Sequence, residues 1–249
     1  MKVLACYNIK GGVGKTATAV NLAYLAAREG ARILVWDMDP QGAASFYFRI
    51  KPKVKGGGER LLKDSGELDK RIKGSDYPGL DLIPADFSYR NLDLILEDAK
   101  KPTQRLRKLL RPLAEDYDYV FLDCAPSISL VSENIFRAAH ALLVPTIPTT
   151  LSLRTLNQLM RFCADEGLDE LKLMPFYSMV DRRKHLHRLI INTPSKALPG
   201  ILKSHIPYAS EVEQMGVKRA ALHAYAPHCR PAKAYEALWE EVKAELAAL

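Results

Sequence analysis

No apolar run in this 249-residue sequence approaches the roughly 18 residues that a bilayer-spanning helix needs, which argues against an integral helical membrane protein. The first residues, KVLACYNI, read as a strand, so neither a signal peptide nor an anchor is expected at this end and the chain is expected to stay in the cytoplasm. Cysteine is scarce: Cys6, Cys124, Cys163 and Cys229 form no CxxC pair and fall in different elements. Buried reduced thiols are expected in place of a disulfide or a metal site. No internal repeat is present, which removes solenoids and propellers. What the sequence does have is 48% hydrophobic against 26% charged residues, a balance that excludes disorder and suits a single domain over residues 1–249.

Strand and helix patterns alternate along the chain. KVLACYNI (2–9) passes through a glycine turn into KTATAVNLAYLAAREG, where Ala19, Leu22, Ala23 and Ala26 recur at helical spacing until Gly30 stops the helix. RILVWD (32–37), LDLIPA, DYVFLDCAP, ALLVPTIP, LKLMPFYSMVD and GILKSHIP read as further strands; SYRNLDLILEDA (88–99) and LRTLNQLMRFCADEG read as helices. This alternation predicts an α/β fold, a doubly wound, mostly parallel sheet with helices on both faces, whose ligands bind at the carboxyl ends of the strands. The basic segment RIKPKVKGGGERLLKD (49–64), broken by three glycines, is expected to be a flexible insertion.

The chemistry concentrates where the first strand ends. Gly11-Gly12-Val13-Gly14-Lys15-Thr16, opening a helix, is close to the P-loop pattern. Glycines let backbone N–H groups turn toward phosphate oxygens at a helix N-terminus, where the dipole also favours an anion. Lys15 would reach the β- and γ-phosphates and the Thr16 hydroxyl would ligate Mg²⁺, while Ala17 completes the turn. A metal-phosphate site needs carboxylates at neighbouring strand ends. Asp123, closing the strand YVFLD, reads as a Walker B carboxylate, and Asp37 and Asp39 follow the strand RILVW. Their strand-like spacing points both side chains one way, one to serve Mg²⁺ and the other water. A P-loop uses one lysine, and Lys10 is a second.

KGGVGKT with DMDPQG and FLDCAPS resembles the ParA branch of the ParA/MinD family, deviant Walker A ATPases that position DNA and other cargo in bacteria. The likeness continues through VPTIPTTLSLRTL and IPYASEVEQMG to AYEALWEEV. The resemblance gives Lys10 a purpose: in such proteins two monomers face each other across two ATP molecules, and the early lysine touches the partner's phosphates. It further implies Asp39 as the switch aspartate that orients the attacking water, Asp37 as a carboxylate near Mg²⁺ and Asp123 as the Walker B position. Adenine contacts are expected near Ser178, Met179, Pro207 and Tyr208. Two positions depart from the family pattern, Ala17 after the loop and Ala125 in the turn after Asp123, and neither removes a charge or a ligand.

Between Arg182 and Lys233, ten Lys or Arg stand against two Glu, whereas the whole chain carries a net charge of +7; the basicity is expected to be confined there. Such a patch suits sequence-independent attraction to duplex DNA, with Arg182, Arg183, Lys184, Arg188, Lys218 and Arg219 as contact candidates, although Glu211 stands where related sequences often place an arginine. His185 and His187, two apart, would not share a helix face, so no metal site is expected of them. The last helix, AYEALWEEVKAELAAL, puts Leu238, Val242 and Leu246 on one face but carries four glutamates against one lysine; anionic lipid would repel it, unlike the basic terminal helix of the MinD branch. No cysteine partners Cys124 in a comparable loop, against an iron–sulfur electron carrier, and no substrate signature supports a small-molecule synthetase. No helix-turn-helix pattern precedes the loop, so operator binding is not expected. The resemblance therefore implies an ATP-linked homodimer on the nucleoid that works with a cargo-linked activator, ParB-like or an equivalent adaptor. The alternatives are a MinD-like membrane-surface protein and a passive nucleotide-gated DNA-binding or filament protein.

Overall fold

A computed structural model describes residues 1–63, 68–98, 101–193 and 200–249. Its strands are β1 (Lys2–Cys6), β2 (Ile33–Asp37), β3 (Lys73–Gly74), β4 (Leu80–Ile83), β5 (Tyr119–Asp123), β6 (Ala141–Thr146), β7 (Lys172–Val180) and β8 (His205–Pro207). They form one sheet in the order β3-β4-β2-β5-β1-β6-β7-β8. Every neighbouring pair is parallel except β3 with β4. The α/β reading of the sequence thus holds, and its missed strand, β3, is a two-residue edge too short to carry a periodicity.

The central strands are continuously apolar because both faces are covered. Side chains alternate between faces: Val3, Ala5, Leu34 and Trp36 join one core, and Leu4, Cys6, Ile33 and Val35 the other. On the first face Tyr7 packs edge-on against Phe136 at 4.8 Å between ring centres. On the second, the helix Arg230–Ala247 buries Tyr235, Leu238, Trp239, Val242 and Leu246, each large apolar side chain contributing roughly 1.5–3 kcal/mol. The Trp239 indole N–H donates to Glu29 at 3.0 Å, tying this helix to the end of the helix Lys15–Arg28. The apolar face of this helix is thus inside the fold. Among the described residues no helix is long and apolar enough to cross a membrane.

The basic segment 49–64 is a correction, with residue 64 outside the described residues. It contains the helix Gly57–Lys63 and sends Val54, Leu61 and Leu62 into the core. Its glycines serve close packing: a Cβ on Gly58 would stand 2.6 Å from Leu92 Cδ2. A run that reads as flexible by composition is therefore a tight approach of backbone to side chains. The segment 88–99, whose last residue is also outside the described ones, begins as a 3-10 turn, Phe87–Asn91, before the helix Leu92–Glu97. Cys6, Cys124 and Cys163 are buried, Cys229 is half-buried and all four thiols are free.

Candidate nucleotide and metal site

β1 delivers the chain to the helix Lys15–Arg28 through a loop whose backbone only glycine adopts easily. Gly12 has φ +69° and Gly14, the residue before the helix, φ +96°. A Cβ on Gly14 would also meet Ser178 Oγ at 3.0 Å, so this position is fixed both by conformation and by space. The first turn of the helix holds no acidic residue, leaving its N–H groups and dipole unopposed toward an anion. Asn8, which the sequence reading passed over, anchors the loop's entry: its amide donates to Pro145 O at 2.9 Å and its Oδ1 accepts from the Lys10 N–H at 2.9 Å. Its role rests on the contact with Pro145, 137 residues away, so no local sequence pattern signals it.

Lys15 is buried, and its ammonium donates to Lys10 O at 3.1 Å. Burial lowers its pKa, against the pull of Asp123. Lys10 points elsewhere: its Nζ lies 3.4 Å from Ser152 Oγ, which in turn accepts from Thr149 Oγ1 at the start of the helix Thr150–Asp165. The two lysines of the loop thus take different partners, Lys15 the Lys10 carbonyl and Lys10 the Ser152 hydroxyl.

The carboxylates meet through strand register. Asp37 and Asp123 are Cα partners at the ends of β2 and β5, and Cys6, at the end of β1, is the partner of Asp123 on its other side. Both carboxylates are fully buried. Asp37 Oδ2 accepts from the Ser45 N–H and hydroxyl, both at 2.7 Å, but its Oδ1 has no partner, and neither oxygen of Asp123 has one. Burial pushes the Asp37 pKa up to about 6, with the Ser45 hydrogen bonds working against it. Burial, then the charge of Asp37, pushes Asp123 well above the ordinary carboxylate range. Three buried, unpaired carboxylate oxygens beside Thr16 constitute a donor set that fits a hard divalent cation. Asp39 lies past the strand end, half-buried, with Oδ1 accepting from the Gln41 N–H at 2.9 Å.

Gly11, Gly12, Gly14, Lys15, Thr16, Ala17 and Asp39 line one cavity of about 320 Å³, and Ser178, Met179, Pro207 and Tyr208 form part of its wall. Val13 is buried beneath the loop and does not line it. Met179 has φ +52° at the irregularity between β7 and β8, a strained position of the kind that aims a side chain at a ligand. Tyr47, Val212, Glu213 and Tyr235 also line this cavity and were missed, because they come from three separate helices that only the fold brings to it. Tyr208 is held in place by its hydroxyl, which donates to Glu213 at 2.9 Å.

The basic candidates differ in what holds them. Arg182, with Lys203, His205 and Arg230, lines a groove beyond β8, and three of these four residues were not anticipated. Lys184 is exposed, but Arg183 is bound through Nε and Nη2 to the Asp181 carboxylate, and Arg188 donates inward to the carbonyls of Arg182 and Arg183. Arg219 donates to Phe46 O at 3.0 Å with its guanidinium 4.6 Å from the Phe46 ring centre, and the Lys218 carbonyl accepts from Arg49. Residues 194–199 of the basic stretch 182–233 lie outside the described residues. His185 is exposed whereas His187 is buried with Nδ1 accepting from the Asp181 N–H, so the two do not converge.

Comparison with known proteins agrees with this geometry. The family model AAA_31, described as an AAA domain, matches residues 1–167. The chain is 30% identical to the sporulation initiation inhibitor protein Soj of Bacillus subtilis over 98% of each chain. It is 37% identical to the chromosome partitioning protein ParA of Caulobacter vibrioides over 65% of this chain and 61% of that one. Among solved structures, cobyrinic acid a,c-diamide synthase from Mycobacterium smegmatis with bound ATP analog and magnesium superposes with a TM-score of 0.84 at 26% identity, covering 99% of this chain and 95% of that one. A glycine loop on the first strand, two carboxylates in register beside it and relatedness over the full length to Soj lead to one assignment: the chain belongs to the ParA-type family of P-loop partition ATPases.

Proposed function

We propose that residues 1–249 act as one ATPase unit that binds Mg²⁺ and ATP, dimerises around two nucleotides and holds nucleoid DNA without sequence preference. A cargo-linked activator, ParB-like or an equivalent adaptor, then stimulates hydrolysis and release. The observation that carries this reading is the buried pair Asp37 and Asp123, three of whose four oxygens lack a partner, in register beside Lys15 at an anion-binding helix start. The names of the relatives, Soj and ParA, supply the cargo-partitioning context, and the ATP analog and magnesium of the synthase structure supply the ligand context.

The backbone N–H groups from Gly11 to Ala17 cradle the phosphates. Lys15 would exchange the Lys10 carbonyl for β- and γ-phosphate oxygens, and Thr16, Asp37 and Asp123 would hold the cation. When bound, Mg²⁺ neutralises charge that builds on the phosphates during transfer. Asp39 orients the attacking water, and Met179, Pro207 and Tyr208 border the adenine. Lys10 of each protomer reaches the other protomer's phosphates and stabilises the transferring group as an arginine finger does, so hydrolysis requires the dimer. The same dimer doubles the basic surface that meets DNA, for which Arg182, Arg183, Lys184, Arg188, Lys218 and Arg219 are the contact candidates. The protein therefore works in the cytoplasm on the nucleoid. The closing helix has its apolar face inside the fold, against a membrane-surface role of the MinD type.

Asp39→Ala is the test. Water positioning acts on the transition state, so the variant should bind ATP as the parent does and stop turning it over. Undiminished turnover would move the role to another group, and turnover indifferent to DNA and activator would favour a passive nucleotide-gated binder.

A further inference from the structure

The expectation that basicity is confined to residues 182–233 overlooks a second concentration of charge. At the opposite pole of the sheet, where β1 and β6 begin, a groove of about 1070 Å³ is lined by Lys101, Arg105, Arg107, Lys108 and Arg111, and among the described residues no carboxylate lines it. Gln104, Lys108 and Arg111, at spacings of four and three, make one wall from the helix Arg105–Leu110 and its ends. The buried Val3, Leu110 and Ala138 form an apolar floor, and His140 closes the far side. Arg105 is turned inward, donating to the Leu62 carbonyl. Lys101, Arg107, Lys108 and Arg111 are exposed, and among the described residues none of these four is in an ion pair.

We propose that this groove docks an acidic peptide segment of a protein partner, with carboxylates on the cationic wall and an apolar side chain on the floor. Charge complementarity selects an anion, since among the described residues no carboxylate pairs with these four exposed cations. The shape and lining select the peptide. The volume is at or above the roughly 300–1,000 Å³ of small-molecule pockets, and no buried polar group stands ready to orient a small ligand. Single-stranded nucleic acid uses aromatic platforms for its bases, and among the described residues no Phe, Tyr or Trp lines the groove. A rigid duplex would ride on the rim and leave the apolar floor uncovered. The groove is separated from the glycine loop by the length of β1, roughly 16 Å, so docking there does not require ATP and does not rest on the proposed nucleotide cycle.

The probe is a fluorescein-labelled peptide of alternating Glu and Leu, titrated by anisotropy into the full chain without nucleotide. Saturable binding is expected. It should weaken about tenfold or more in Arg107→Glu/Lys108→Glu, because charge-assisted contacts are lost and reversed. It should be unchanged in Arg182→Glu, and the Lys-for-Glu peptide should not bind. Both altered residues are exposed, and an unchanged unfolding midpoint together with near-parent binding by Arg107→Lys separates lost docking from lost folding. Non-saturable binding, or equal binding by the double variant, would overturn the proposal. So would duplex DNA or phosphatidylglycerol vesicles that displace the peptide and themselves lose affinity in the double variant, which would make the groove a nucleic-acid or membrane surface.

Discussion

Replacing Asp37 with asparagine should stabilise the nucleotide-free protein, and by an amount that depends on pH in a defined way. The carboxyl titrates near 6 in the folded chain against an ordinary value of 3.8, because burial penalises its charged form more than the two Ser45 hydrogen bonds favour it. A folded pKa above the unfolded one means that the folded state holds the proton more tightly. Stability is then highest below about pH 4 and falls as pH rises through 6. The full loss is about 3 kcal/mol, and about 1.3 kcal/mol of it develops between pH 5 and 7. Asparagine keeps an oxygen to accept from Ser45 but carries no charge, so the variant lacks this component. Removing the charge also relieves Asp123, which acts in the same direction. Urea unfolding of both proteins in EDTA across that range reads the difference directly, since every other titrating group is shared. The variant's advantage should widen with pH. Parallel stability curves would show that the pair of buried carboxylates is not poised for a cation.

Lys15→Ala should abolish ATP binding in an equilibrium dialysis assay, since the ammonium that meets the phosphates is lost; parent-like binding would remove the P-loop assignment. Arg182→Glu should weaken binding to a nonspecific duplex and flatten its salt dependence by about one unit of slope per lost phosphate contact. Arg183→Gln should do less in the same titration, because Asp181 already compensates Arg183. A larger effect at Arg183 would reverse that ranking.

What could be read in the sequence was whatever local pattern encodes. The apolar runs that became β1, β2, β5, β6 and β7 are buried on both faces, so their composition alone identified them, and the glycine loop with Lys15 and Thr16 declared itself by spacing. Asp37 and Asp123 were legible as strand-end carboxylates, yet their pairing is a matter of register between strands far apart in sequence. Residues that act through tertiary contact were not legible: Asn8 works by reaching Pro145, and Tyr47 and Tyr235 reach the cavity from separate helices. Charge counting along the chain is limited for the same reason: it gives no sign that Arg219 lies on the Phe46 ring, and it passed over the cations from Lys101 to Arg111 because acidic residues elsewhere cancel them in the sum.

The claim on which the rest depends is that ATP closes two protomers through Lys10. Sedimentation of the parent and of Lys10→Ala, each with Mg²⁺ and either ATP or ADP, tests it most directly. The parent should be a dimer in ATP and a monomer in ADP, while Lys10→Ala, still binding ATP through Lys15, should remain a monomer in both and turn over little. A Lys10→Ala protein that dimerises and hydrolyses ATP as the parent does, or a parent that stays monomeric in saturating ATP, would contradict the account.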